Sequence, residues 1–328
     1  MISILILPLL LSLFVTLFSL PAWIRKTKEI GLVWEDINKW NSPKNVAGSG
    51  GVPVFLGFVL GILSYIALKT FYFKSTDNLI EIFASISVVL IIAFIGFMDD
   101  LFGWRRGGLS QRSRLILLVF ASIPLIVINA GASSLLESGL GLIYPLVLIP
   151  LGIVGASATF NFLAGYNGLE ASQGILILAA LSGITFFMGN KWISIIGLCM
   201  VASLVSFYLF NKSPAKAFPG DVMTYAVGAL IAVIAILGGI ETIAVFFFIP
   251  YILETILKIR GGVSNIHNFG VPNEDGSLEL RYKKIYSLTH LSLFVLKKFK
   301  KKVYEKDVVY LINAFQIFII LLGMILFL

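Results

Sequence analysis

The sequence is short of the residues on which soluble folds and much metal chemistry rely. Its 328 residues include one cysteine and two histidines. A lone cysteine closes no internal disulfide, and two histidines without a cysteine cluster leave no zinc site of the usual spacing. Cys199 stands inside an apolar run, as a small core residue does. Charge is also scarce: Asp, Glu, Lys and Arg make up 13% of the chain, against roughly 25% in soluble domains. There is no low-complexity tract and no repeat, which excludes a disordered scaffold and a solenoid.

Apolar residues fill the space, at 58% of the chain. A helix needs about 20 of them to cross roughly 30 Å of hydrocarbon. Runs at 2–24, 52–73, 80–98, 114–131, 141–160, 171–189, 192–211, 221–238, 240–258 and 308–328 predict about ten spans. The fold class is therefore an all-α polytopic membrane protein, one domain over 1–328. The eighth and ninth runs are parted only by Gly238-Gly239-Ile240-Glu241. The first run lacks the basic start and small-residue cleavage site of a signal peptide, and is expected to stay in the mature protein.

Basic residues orient the bundle. With the N-terminus outside, every Lys and Arg except Lys69, Lys74 and Lys191 falls at the cytoplasmic side, a strong positive-inside bias. The even number of spans returns the C-terminus outside. The net charge of +8 is largely this effect, so nucleic acid is not an expected partner.

In that topology four polar segments reach one face. Asp99-Asp100 is expected to close the third span, Asn161 to Asn167 the fifth, Phe218-Pro-Gly-Asp221 opens the eighth, and His267 lies in the 259–307 connection. Adjacent carboxylates at a helix C-terminus face the negative dipole end and each other, a cost that a divalent cation or arginines must offset. Asn167-Gly168 reads equally as a helix C-cap or as amides and flexible backbone beside a ligand. Asp221 reads as an N-cap, or as an acid in a metal or phosphate site at a positive helix end. Asp, Asn and phosphate oxygens are the hard donors that Mg²⁺ prefers.

The set Phe97-Met-Asp-Asp100, Asn161-Phe-Leu-Ala-Gly-Tyr-Asn-Gly-Leu-Glu-Ala171 and Phe218-Pro-Gly-Asp221 resembles the polyprenyl-phosphate N-acetylhexosamine-1-phosphate transferases. The bacterial phospho-MurNAc-pentapeptide translocases share that superfamily. The likeness is nearer to the eukaryotic and archaeal dolichyl-phosphate GlcNAc-1-phosphotransferases, which read Asn in the Asn-Gly-Leu-Glu-Ala segment. Asp36-Ile-Asn-Lys39 and Asn273…Gly276-Ser-Leu-Glu279 agree as well, so the resemblance runs along nearly the whole chain.

The resemblance implies that a UDP-sugar, GlcNAc by default, binds with Mg²⁺ (Mn²⁺ as an alternative) at the cytoplasmic face. A polyprenyl or dolichyl phosphate attacks the β-phosphorus and UMP leaves, the first step of lipid-linked oligosaccharide assembly for N-glycosylation. Carried over by position, Asn161 and Asp221 would hold the metal with the diphosphate. Asn167 would hydrogen-bond uracil and Phe218 would stack on it, with Asn38 and Gly165 in the substrate site. Asp99 and Asp100 would lie beside the phosphates. Arg114 is the match to a family lysine, with Arg112 two residues earlier. His267 would contact phosphate or sugar. The family's arginines around that histidine are absent from Ser264-Asn-Ile-His-Asn-Phe-Gly270, so another hexose remains an alternative.

The last connection is expected to hold a hairpin turning at Asn273-Glu-Asp-Gly276, then a basic amphipathic helix over Leu291–Phe299 that lies on anionic lipid or is an ordinary surface helix. His290 looks incidental. A transporter is the rival class, but transporters place ionisable groups near the midplane on broken helices, whereas these acids sit at span ends. A CDP-alcohol enzyme would need closely spaced aspartates on one helix, which are missing. A homodimer is compatible with the pattern. A compact chain without an ER-retrieval signal points to an archaeal plasma membrane, with the ER membrane as the alternative.

Overall fold

The computed structural model describes residues 4–131, 141–262 and 266–328. Residues 2–3 of the first expected span and Ser264 of the last connection lie outside them. Among the described residues eight helices are long and apolar enough to cross a membrane, or nine if one bent pair is counted as a span. The chain is thus a multi-pass membrane protein.

The first span is α1 (Ile6–Glu29). A two-stranded hairpin follows, β1 (Val33–Glu35) and β2 (Lys44–Ala47), which the sequence pattern did not suggest. Next come α2 (Gly51–Ala67), prolonged to Tyr72 by a π turn, and α3 (Leu79–Arg106). The expected fourth span is two pieces, α4 (Gln111–Ala121) and α5 (Ile123–Val127). Pro124 has no N–H to give and its ring crowds the preceding turn, which favours a break at this point. The fourth of the ten expected runs is therefore not among the helices long enough to cross unbroken.

The chain continues through a π turn at Tyr144–Leu148 into α6 (Ile149–Phe162), then α7 (Leu169–Phe187), α8 (Lys191–Asn211) and α9 (Asp221–Gly238). Gly239, at φ +63°, ends α9 in the left-handed conformation. The ninth run is the bent pair, α10 (Glu241–Phe247) and α11 (Ile249–Gly261), kinked by 57°. Pro250 starts the second piece. The carbonyl of Phe247, freed by the break, accepts from Gln316 Nε2 at 3.0 Å, as apolar surroundings demand of any exposed backbone group.

The connection after α11 carries the expected hairpin: β3 (Val271–Pro272) pairs antiparallel with β4 (Leu278–Glu279). The expected basic helix starts earlier than its charges suggest, as α12 (Leu288–Lys297). Its N-terminus docks on a buried carboxylate, since Glu254 Oε2 accepts from Leu288 N at 2.6 Å and Ser287 Oγ at 3.0 Å. Several lysines expected to face lipid are paired within the protein: Lys297 with Glu279, Lys300 with Asp307 and Lys302 with Asp275. His290 is buried in this helix, and burial pushes its imidazole down to about 4, so it packs as a neutral ring. The last span is α13 (Glu305–Phe327).

α9 is the axis of the bundle. Inside the protein 89% of its apolar window is buried, against 22% for α1. Glycines let its neighbours approach. A Cβ at Gly96 of α3 would lie 2.7 Å from Val222 N, and one at Gly228 of α9 would lie 2.8 Å from Ser157 Cα of α6. Small residues at helix crossings are how spans pack closely in lipid, where apolar burial alone gives little drive. Gly183 of α7, by contrast, has nothing within 4 Å of such a Cβ. Gly228→Ala should therefore lower stability by about 1–3 kcal/mol through overpacking, while Gly183→Ala should leave it unchanged or slightly raised. Thermal unfolding in detergent separates them; equal melting temperatures would contradict the close-packed axis.

Candidate functional site

At one end of α3 and α9 a cavity of about 440 Å³ opens between helices and loops. The acid pair is not at a helix end, as the sequence suggested, because α3 continues to Arg106. The carboxylates are instead compensated one by one. Asp99 Oδ2 lies 2.5 Å from Arg114 Nε, and its Oδ1 accepts from Arg114 Nη2 at 3.1 Å and from Leu109 N at 2.7 Å. The two side chains form a close ion pair joined by one hydrogen bond, from Nη2 to Oδ1. Asp100 Oδ1 accepts from the backbone N–H of Asp221 at 2.8 Å, and its Oδ2 from Ser49 Oγ at 2.9 Å. Asp100 thus caps α9 from outside, with its charge at the positive end of the helix dipole.

Gly220 takes φ +71° beside Asp100, a conformation that side chains disfavour. The turn leaves Asp221 lining the cavity. Opposite, Asn161 Oδ1 accepts from Thr224 Oγ1 at 2.9 Å, keeping an amide oxygen one turn along from Asp221. Hard oxygens from Asp221, Asn161 and the acid pair therefore gather in one place.

The loop between α6 and α7 forms another wall. Its Asn167 N–H donates to Glu305 Oε1 at 2.8 Å, and its Nδ2 to Asp36 Oδ2 at 2.9 Å. Gly165 N–H donates to Glu170 Oε1 at 2.6 Å, and Gly165 itself, at φ +111°, lies against the Phe269 ring. Burial pushes the Tyr166 hydroxyl well above its ordinary range, so this cavity-lining phenol stays protonated.

Of the residues expected from sequence, Asp99, Asp100, Arg114, Asn161, Gly165, Asn167, Phe218 and Asp221 line this cavity together. Asn38 does not; it is buried behind the wall, and its Nδ2 donates to Gly165 O at 3.3 Å. Arg112 is exposed and does not line this cavity, whereas Arg114 does. His267 is exposed as well, stacked against the outer side of Phe269 at 6.5 Å.

Sequence reading missed Glu305, and it held Asp36 and Glu170 only as members of matching stretches, without a role of their own. Glu305 is a hub: Oε1 serves Asn167 N and Asn38 Nδ2, while Oε2 serves Lys39 Nζ and Ser213 Oγ. It binds three loops to the start of α13. Among the described residues no group of three or more His, Cys, Asp or Glu side chains forms a preset metal site.

The chain matches the family described as Glycosyl transferase family 4 over residues 82–239. It is similar to a protein of Saccharolobus solfataricus provisionally named UDP-N-acetylglucosamine–dolichyl-phosphate N-acetylglucosaminephosphotransferase. The two are 36% identical over 92% of this chain and 90% of the relative. A Dictyostelium discoideum protein bearing that name without qualification is 26% identical over 73% of this chain and 68% of its own length. A phospho-N-acetylmuramoyl-pentapeptide-transferase of Streptococcus pyogenes is 30% identical over 75% and 76%.

Glu305→Ala should unpair a lysine and a buried backbone N–H together. The expected loss is about 2–3 kcal/mol of stability, the scale of hydrogen bonds to a charged group, with Glu305→Gln losing less. A Glu305→Ala protein that melts with wild type would remove the hub.

Proposed function

The chain belongs to glycosyl transferase family 4, the polyprenyl-phosphate N-acetylhexosamine-1-phosphate transferases, and from that premise we propose that it moves GlcNAc-1-phosphate from UDP-GlcNAc onto a dolichyl or polyprenyl phosphate. UMP is released and a lipid-diphosphate-sugar forms, the opening step of lipid-linked oligosaccharide assembly. The observation that carries this reading is the convergence of Asp221, Asn161 and the Asp99–Arg114 pair in one cavity at the helix ends. A transporter would set such groups near the midplane. The positive-inside bias of the sequence supports a cytoplasmic position for this end of the bundle.

Transfer between phosphates asks for charge neutralisation and in-line placement more than for covalent chemistry. The donor set fits Mg²⁺: a carboxylate, an amide oxygen and no sulfur or imidazole. Asp221 and Asn161 would hold the ion. Once bound, it would neutralise the diphosphate and ease departure of UMP.

The remaining steps fall to the chain itself. Arg114 is held by Asp99 in a fixed orientation, which leaves its other N–H groups for phosphate oxygens. Asp99 and Asp100 already spend their oxygens on Arg114, Leu109, Ser49 and Asp221. Both therefore act as positioning residues, and the acceptor phosphate, ionised at neutral pH, attacks without a protein base. Phe218 stands beside the cavity three residues before Asp221, placed to stack on the base whose diphosphate lies at that aspartate. Asn167 supplies the polar contact to the same base.

The test is direct. Membranes holding the protein, given radiolabelled UDP-GlcNAc, polyprenyl phosphate and Mg²⁺, should pass label into organic extract. Excess EDTA should stop transfer, and Asp221→Asn should slow it at least about a hundredfold, the scale of one electrostatic contact in such sites. Label that stays aqueous would sink the reading. Full activity in EDTA would remove the metal.

A further inference from the structure

Asn167 and Asp36 both line the cavity, and both are nearly fully buried, at 4% and 5% exposure. Their contact has a polarity that chemistry fixes. Asn167 Nδ2 donates to Asp36 Oδ2 at 2.9 Å. A carboxylate accepts and does not donate, so the amino end of Asn167 must face Asp36. The other end, Oδ1, is buried without a hydrogen-bond partner. An asparagine amide could ordinarily be turned about with little penalty; here it could not.

Asp36 is itself anchored. Its N–H donates to Pro43 O at 3.1 Å, and its carbonyl accepts from Lys39 N at 3.0 Å. Lys39 Nζ stands 3.9 Å from Asp36 Oδ2 and pairs with Glu305, which also takes the backbone N–H of Asn167. The ring Asp36–Lys39–Glu305–Asn167 closes on itself. Turning the Asn167 amide would set two oxygens against each other inside it.

We propose that Asp36 sets the base specificity of the nucleotide site, by committing the amino group of Asn167 and leaving a bare acceptor at the cavity wall. The inference rests on the uridine-nucleotide reading above. Uracil carries a donor at N3, and cytosine an acceptor at the same position. An acceptor held at the wall satisfies the first and opposes the second. Asp36 is a positioning residue, acting on the base through Asn167.

Titrating the purified protein with UMP, CMP and N3-methyl-UMP in Mg²⁺ tests this. Wild type should bind UMP at least about tenfold more tightly than either analogue, as one mismatched buried hydrogen bond costs. In Asp36→Asn the new amide can accept or donate, so Asn167 is free to turn, and the UMP-to-CMP ratio should fall to within about threefold. A merely structural role would weaken both nucleotides alike and keep the ratio, which would overturn the proposal. N3-methyl-UMP binding wild type as well as UMP would overturn it too, and needs no variant to fold. Wild type that binds no UMP at all would instead refute the uridine reading itself.

Discussion

The hydrogen bond from the Asp221 backbone N–H to Asp100 Oδ1 joins the two helices on which the site depends. It turns a buried carboxylate of α3 into the cap of α9, where an acid is favoured by the unpaired N–H groups and the helix dipole. Gly96 makes the contact attainable, since any side chain there would strike the first turn of α9. Ser49, from the loop before α2, closes the same carboxylate from the other side. Asp221 is thereby delivered into the cavity beside Asp99 and Asp100. Arg114 pairs with Asp99 there, and a divalent cation of the kind proposed above would offset the acidity that remains.

The opposite wall has its own organiser. Glu305 begins the last span, yet it fastens the first loop, the Asn167 loop and the segment after α8. Lys258 and Asn268 add a second clasp by donating to the Phe162 carbonyl at 2.6 and 2.8 Å, closing the end of α6. Arg281 donates to the carbonyls of Phe269 and Gly270 and so holds the Phe269 wall. Backbone groups at membrane depth need partners, and here the partners come from remote segments. The wall proposed to meet the base is therefore tied down from several sides.

Much of this was legible in the sequence because polarity is rare in it. Acids and amides at the edges of uncharged runs stand out, and Asp99, Asn161, Asn167 and Asp221 were found that way. The breaks at Ser122 and Phe248 were less visible, because apolarity continues through them and only Pro124 and Pro250 mark them. Arg114 was preferred to Arg112 by resemblance, and residues two apart do not share a helix face, so only one of them lines the cavity. Glu305 was hidden for a different reason. An acid in the first turn of a helix looks like an ordinary dipole partner, while its contacts, Asn167 and Asn38, lie 138 and 267 residues away. Asp36 was noticed as part of a matching stretch, but its effect on the Asn167 amide exists only once the loops meet.

The proposed reaction needs a cation site formed by Asp221 and Asn161 together with a sugar nucleotide. Mn²⁺ affinity of the purified protein, followed by electron paramagnetic resonance with and without UDP-GlcNAc, measures that linkage. The account predicts affinity at least about tenfold higher with the nucleotide present, since the diphosphate supplies oxygens that protein ligands alone do not, and no such gain in Asp221→Asn. Mn²⁺ affinity that is indifferent to the nucleotide, or a gain that survives in Asp221→Asn, would contradict it.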